Sequence, residues 1–86
     1  MSEGFYDLYR RNIRTEIIGC MPDCIARECR AIPVDWDDDG LVVAMADPDD
    51  DKAIERLRFT LNTPMTVVLA TPQAIQYAIQ RYYPSP

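Results

Sequence analysis

Histidine is absent from this 86-residue chain, which removes the commonest general base and the commonest metal ligand. Cysteine is scarce and odd in number: Cys20, Cys24 and Cys29 cannot make a disulfide framework. Their C-x3-C-x4-C spacing differs from the paired C-x2-C of a zinc module, and no second pair completes a tetrahedral set. They read as reduced thiols, buried or on a helix surface. Only three glycines are present, none in a G-x-x-x-x-G-K-[ST] phosphate loop or a G-x-S-x-G nucleophile elbow. With no catalytic set, no metal ligands and no cofactor motif, the domain reads as non-enzymatic. Apolar runs fall short of the ~18 residues of a membrane helix, and no basic-then-apolar leader opens the chain. It reads as soluble and cytoplasmic, with no direct membrane insertion.

Basic residues are the next shortage. Nine Lys and Arg face fourteen Asp and Glu, a formal charge of −5. An acidic domain lacks the field that attracts phosphate backbones, so nucleic acid is not an expected partner. The excess is local: Asp35 to Asp51 carries eight acids and no base. What is present in quantity is apolar, 48% of residues, which suffices for one folded domain of this length.

Proline supplies the punctuation. Pro22, Pro48 and Pro72 each precede a helix-like pattern, where proline at the first helical position costs nothing, and Asp47 and Thr71 are suitable N-caps. Helices are expected over Pro22–Arg30 (burying Ile25, Ala26 and Cys29), over Pro48–Leu61 (Ala53, Ile54, Leu57 and Leu61), and over Pro72–Tyr82 (Ala74, Ile75, Ala78, Ile79 and Tyr82). Asn62 stands where a left-handed cap residue belongs. Ala31–Val34, Leu41–Met45 and Met65–Leu69 read as strands, the first two joined by a hairpin turn over Asp35–Gly40. Upstream, Thr15–Cys20 reads as a short helix, and Phe5–Leu8 fits extended or helical backbone equally. The fold class is therefore α/β (α+β), a three-stranded sheet packed with helices in the order (α)-α-β-β-α-β-α. The third strand fits beside the first, antiparallel, or beside the second, parallel. Residues 1–21 form an N-terminal segment, 22–83 the α/β domain, and 84–86 the start of a linker.

The acidic stretch nearly matches a calcium loop. Asp35-x-Asp37-x-Asp39-Gly40 copies the opening of an EF-hand, but Ala46 stands where a bidentate glutamate is required, and a strand follows instead of a helix. The second run, from Asp47, has Lys52 in place of glycine and Arg58 at the twelfth position. A solvated turn and an acidic helix start are the expected explanations. Trp36, in the hairpin turn, either packs on a neighbouring helix or faces a partner. Phe59 points away from the stripe of its helix, as does Tyr77 from its own. Trp36, with Asp37 and Asp38 beside it, and Phe59 are the candidate partner-binding residues. Arg10, Arg11 and Arg14, near Tyr6 and Tyr9, are balanced by Glu3, Asp7 and Glu16 and read as a solvated face.

The assembled pattern resembles the N-terminal domain of type II secretion and type IV pilus assembly ATPases. The likeness rests on Leu41-Val42-Val43-Ala44-Met45-Ala46-Asp47-Pro48 with the Ile54/Leu57/Phe59 helix behind it. Pro22-x-x-x-Ala26-Arg27 ahead of Ile32-Pro33-Val34, and Thr66–Ala70 followed by Ala74-Ile75, Ala78-Ile79 and Tyr82, extend it over nearly the whole chain. The resemblance implies a docking domain that holds the ATPase to the cytoplasmic part of an inner-membrane platform protein. Any ATP hydrolysis would then belong to another part of a longer protein. In a subset of the family the domain binds cyclic di-GMP, mainly through an Arg-Leu-Gly-x-x-Leu motif in a preceding half. Met1 to Cys20 does not reproduce that motif, so cyclic di-GMP is not the expected ligand here. A cyclic di-GMP sensor, or a standalone adaptor of the same fold, is the alternative. Asn62 replaces the glycine usual in the family.

Overall fold

Every backbone N–H and C=O that leaves water needs a partner, and here four helices and a small mixed sheet supply them. The structure is a computed structural model and describes residues 6–10, 12–47 and 49–83. In chain order the elements are α1 (Thr15–Ile18), α2 (Asp23–Cys29), β1 (Ala31–Asp37), β2 (Gly40–Met45), α3 (Asp51–Leu61), β3 (Met65–Leu69) and α4 (Pro72–Tyr82). The mixed α/β class and the element order match the sequence reading. Strand order is β1-β2-β3. β1 and β2 pair antiparallel, and β3 lies parallel to β2 with Leu41 opposite Met65 and Met45 opposite Leu69. Of the two placements open for the third strand, the parallel one is realised, and α3 is its crossover.

β1 is buried from Ala31 through Val34 and exposed from Asp35 onward. Four successive buried residues mean that both faces of this strand are covered, as in sheets sandwiched by helices. Pro33 has no N–H to give, and β1 is an edge strand, where proline is tolerated. The register shifts between Pro33 and Asp35, a local irregularity directly after that proline. Leu8, Ile13, Ile17 and Met21 from the N-terminal stretch share one core with Leu41, Leu57 and Ile75. Tyr6 N–H donates to the Leu69 carbonyl (2.7 Å), so the first described residue meets the outer edge of β3. Phe5 and the expected linker Pro84–Pro86 lie outside the described residues.

Several expected boundaries are corrected. β1 continues to Asp37 instead of ending at Val34: Asp35, Trp36 and Asp37 pair with Val42, Leu41 and Gly40. Aspartate disfavours strands in general, but here the pairing with an apolar β2 overrides that propensity. The turn contracts to Asp38 and Asp39, closed by Asp39 N–H donating to Asp37 Oδ1 (2.8 Å). α3 begins at Asp51, not Pro48, because Asp50 is its N-cap and accepts from Ala53 N–H (3.2 Å). Asp47 instead accepts from Asp49 N–H (3.1 Å) in a local turn; Pro48 lies outside the described residues. Pro22 is the N-cap of α2, not its first helical residue. Thr71 and Pro72 behave as expected, with Thr71 Oγ1 accepting from Ala74 N–H (3.1 Å). α1 stops at Ile18, two residues short of Cys20.

Asn62 caps α3 in the left-handed region, with φ +51° and its N–H on the Arg58 carbonyl (2.9 Å). A Cβ-bearing residue without asparagine's local hydrogen bonding is strained there. Asn62→Ala is expected to lower stability by about 1 kcal/mol, and Asn62→Gly to leave it equal or higher. Paired urea midpoints check this ordering.

At the other end of α4, Tyr83 is buried and its hydroxyl sits 3.1 Å from the Ile18 carbonyl and 3.0 Å from that of Met21. One hydroxyl hydrogen is thus shared by two carbonyls, and it ties α4 to the α1–α2 junction. Burial, reinforced by the negative charge of Asp23, pushes the phenol well above its ordinary pKa. A folded-state pKa above the unfolded value of about 10 means stability is intact below that pH and falls as pH rises beyond it. Alkaline unfolding should therefore steepen above about pH 10 in the wild type. Tyr83→Phe should flatten that limb and lose about 1–2 kcal/mol at neutral pH, read from melts across a pH series.

Candidate functional site

The expected partner-binding residues fall into two places. Trp36, Asp37 and Asp38 sit together at the hairpin: Trp36 is a strand residue of β1, not a turn residue as the sequence suggested. Its backbone is pinned by Asp35, whose Oδ1 accepts from Trp36 N–H (2.8 Å) and also faces Arg14 at 3.5 Å. Beyond the point where β1 leaves the core, the indole remains 43% exposed. Phe59 is on α3, 88% exposed, while Ala53 and Leu57 of the same helix are buried. Helical periodicity alone accounts for this: Phe59 is two residues past Leu57 and so on another face.

Phe59 lines an open groove of about 600 Å³ between α2 and α3, with Glu28, Cys29, Asp50, Ala53 and Arg56. Trp36, Asp37 and Asp38 do not line it. Arg56 bridges to Glu28 across the groove (3.2 Å). Cys29 is buried under it, its thiol donating to the Ala53 carbonyl (3.8 Å), and burial pushes its pKa up, so it stays a thiol. Cys20 is half-buried and Cys24 exposed. Among the described residues no group of three or more His, Cys, Asp or Glu side chains is placed to hold a metal ion. The acidic stretch spends several carboxylates locally: Asp37 and Asp47 close turns and Asp50 caps a helix.

Tyr77, off the buried stripe of α4, packs on the N-terminal segment. Its ring lies 4.8 Å from that of Tyr9, and its hydroxyl accepts from Arg81 (2.9 Å). Arg81 also donates to Asn12 Oδ1 (3.2 Å), and Tyr82 accepts from Ile13 N–H (3.1 Å). Arg10 faces Asp7 at 3.7 Å, an exposed pair of little energetic weight. Arg11 lies outside the described residues.

A second concavity was not foreseen. Between the end of α2 and one face of α4, a cavity of about 330 Å³ is lined by Arg27 and Arg30 on one side and by Ile75, Gln76, Ile79 and Gln80 on the other. Arg30 is the left-handed cap of α2, with φ +52°, a position that favours glycine. The sequence signal was available: an arginine directly after the helix stripe, where a small cap residue is expected. Its partner wall, some 45 residues further along, was not readable from periodicity.

The fold and these surfaces define a small mixed α/β module whose described helices include none long and apolar enough to cross a membrane. The chain belongs to the MshEN domain family, whose model matches residues 4–86. It is 32% identical over 72 residues to the type IV pilus assembly ATPase PilB of Myxococcus xanthus (strain DK1622), covering 84% of this chain and 13% of that protein. The structure of MshE with cdg (cyclic di-GMP) matches with a TM-score of 0.85 at 30% identity, over 92% of this chain and 58% of that one. The N-terminal domain of XpsE matches with a TM-score of 0.77 at 23% identity, over 91% and 56% respectively, a likeness of fold. The kinship with type II secretion and type IV pilus ATPase N-terminal domains, expected from the sequence, is thereby established. The chain spans a small fraction of PilB and under two thirds of the MshE chain.

Proposed function

We propose that this domain is the docking and regulatory module of a type II secretion or type IV pilus assembly ATPase. Its partner is the cytoplasmic part of an inner-membrane platform protein, through which it sits at the inner membrane. The module itself catalyses nothing, and ATP hydrolysis belongs to another part of a longer polypeptide. The observation that carries this reading is Phe59, a large aromatic left 88% exposed above an open groove while the core beneath it is closed. Aromatic anchors of this kind dominate protein interfaces, and the partly exposed Trp36 with Asp37 and Asp38 offers a second one. Alanine at Trp36 or Phe59 should weaken capture of the platform's cytoplasmic domain about tenfold without lowering the melting temperature. If Trp36→Ala lowers the melting temperature and leaves capture intact, the indole is packing and not contact.

A second reading is favoured by the relation to MshE, which was solved with cyclic di-GMP. The sequence argument against that ligand rested on a motif missing from Met1 to Cys20, and kinship to a relative bound to it weighs the other way. Amide shifts on adding cyclic di-GMP decide the matter; an unchanged spectrum at saturating ligand ends this reading.

A further inference from the structure

We propose that the cavity between α2 and α4 is a carboxylate pocket, taking an acidic side chain with an apolar neighbour from the platform partner. This deepens the docking reading and rests on it for the identity of the partner. Both charged residues lining the cavity, Arg27 and Arg30, are cations, in a chain that carries fourteen acids. The facing wall belongs to a stretch, Thr60 to Gln80, without a single charged residue, so no acid from it neutralises them. Arg27 is already held, by Asp23 at 3.8 Å and by the Tyr83 carbonyl. Arg30, by contrast, makes no side-chain hydrogen bond or ion pair with any described residue.

The rest of the cavity completes the chemistry. Gln76 and Gln80 are four residues apart on one face of α4 and offer amide donors and acceptors. Ile75 and Ile79 supply an apolar wall for the neighbouring side chain. A guanidinium accepts a carboxylate through paired N–H donors, and such charge-assisted bonds outweigh neutral ones about twofold. The volume, about 330 Å³, falls at the small end of the range of ligand pockets, and its lining is half polar and half apolar. Ala46, which lines the cavity, leads into the acidic run Asp47 to Asp51, whose field disfavours a phosphate dianion more than a single carboxylate.

The left-handed backbone of Arg30 makes the test clean. Arg30→Gly removes the guanidinium and relieves backbone strain, so the fold should be as stable or more so. Amide spectra of wild type and Arg30→Gly are recorded with acetyl-Leu-Glu-Leu-amide, acetyl-Leu-Gln-Leu-amide and inorganic phosphate, each at millimolar concentration. The glutamate peptide should shift Arg30, Gln76 and Gln80 in the wild type alone, and the glutamine peptide and phosphate should not. Arg30→Gly should also bind the platform's cytoplasmic domain about tenfold more weakly. Equal shifts from the glutamine peptide, shifts from phosphate alone, or no shifts from any probe overturn the pocket. Peptide binding without platform binding by the wild type overturns the docking reading and leaves a carboxylate pocket for a different protein. Platform binding that is indifferent to Arg30→Gly removes the pocket from that interface.

Discussion

Gly40→Ala is expected to destabilise the domain by about 3 kcal/mol or more, the sum of two independent costs. Gly40 has φ +125°, a conformation that L side chains rarely adopt. A Cβ built on it would lie 2.2 Å from the Pro64 carbonyl oxygen and 2.8 Å from its carbon, both backbone atoms with no freedom to swing away. That same oxygen accepts from Leu41 N–H (3.0 Å), the bond that starts the parallel pairing of β2 with β3. Moving it therefore loosens the sheet at its central strand. Denaturant unfolding of the variant should show a midpoint lowered in proportion. A midpoint within experimental error of wild type would mean that the approach of β3 to the hairpin is wrong.

Two neighbours on α3 supply the second large effect, and its control. Leu57 is fully buried and Phe59 is 88% exposed. Leu57→Ala leaves a cavity in the core that the described residues share, and should cost about 2–5 kcal/mol. Typical domains are stable by about 5–15 kcal/mol, so a large part of the fold's margin goes with that one side chain. Phe59→Ala should change stability by no more than about 0.5 kcal/mol. A thermal melt of each reads the contrast directly. Comparable losses at both positions would place Phe59 in the core and remove it from any interface.

Local chemistry explains which parts of the structure were legible. α4 was readable end to end because Thr71 and Pro72 are a cap and a first-turn residue, and Ala74, Ile75, Ala78 and Ile79 repeat at helical spacing. The left-handed cap at Asn62 was readable for the same reason: few residues suit it. Element borders failed where two local options compete. Asp47 and Asp50 are both good caps, and the choice between them was settled by which turn each carboxylate could close. β1 ran three residues too short because Asp35 and Asp37 look like turn residues until an apolar β2 is placed opposite them.

The position of β3 is a different kind of problem. Met65–Leu69 has the same pattern on either side of the sheet, and the packing of Pro64 against Gly40, remote in sequence, accompanies the parallel choice. The candidate site divides likewise. Exposure of Phe59 follows from helix periodicity. The cavity at Arg30 joins the end of one helix to the face of another, and such concavities exist only after packing.

The central claim, that this module works by holding a platform protein, is tested most directly by calorimetric titration. The folded domain is titrated with the cytoplasmic domain of the proposed inner-membrane platform partner. The account predicts saturable binding with one site per domain, weakened about tenfold by Phe59→Ala. Absence of any heat of binding at high micromolar concentration, from protein whose melt confirms that it is folded, would contradict it.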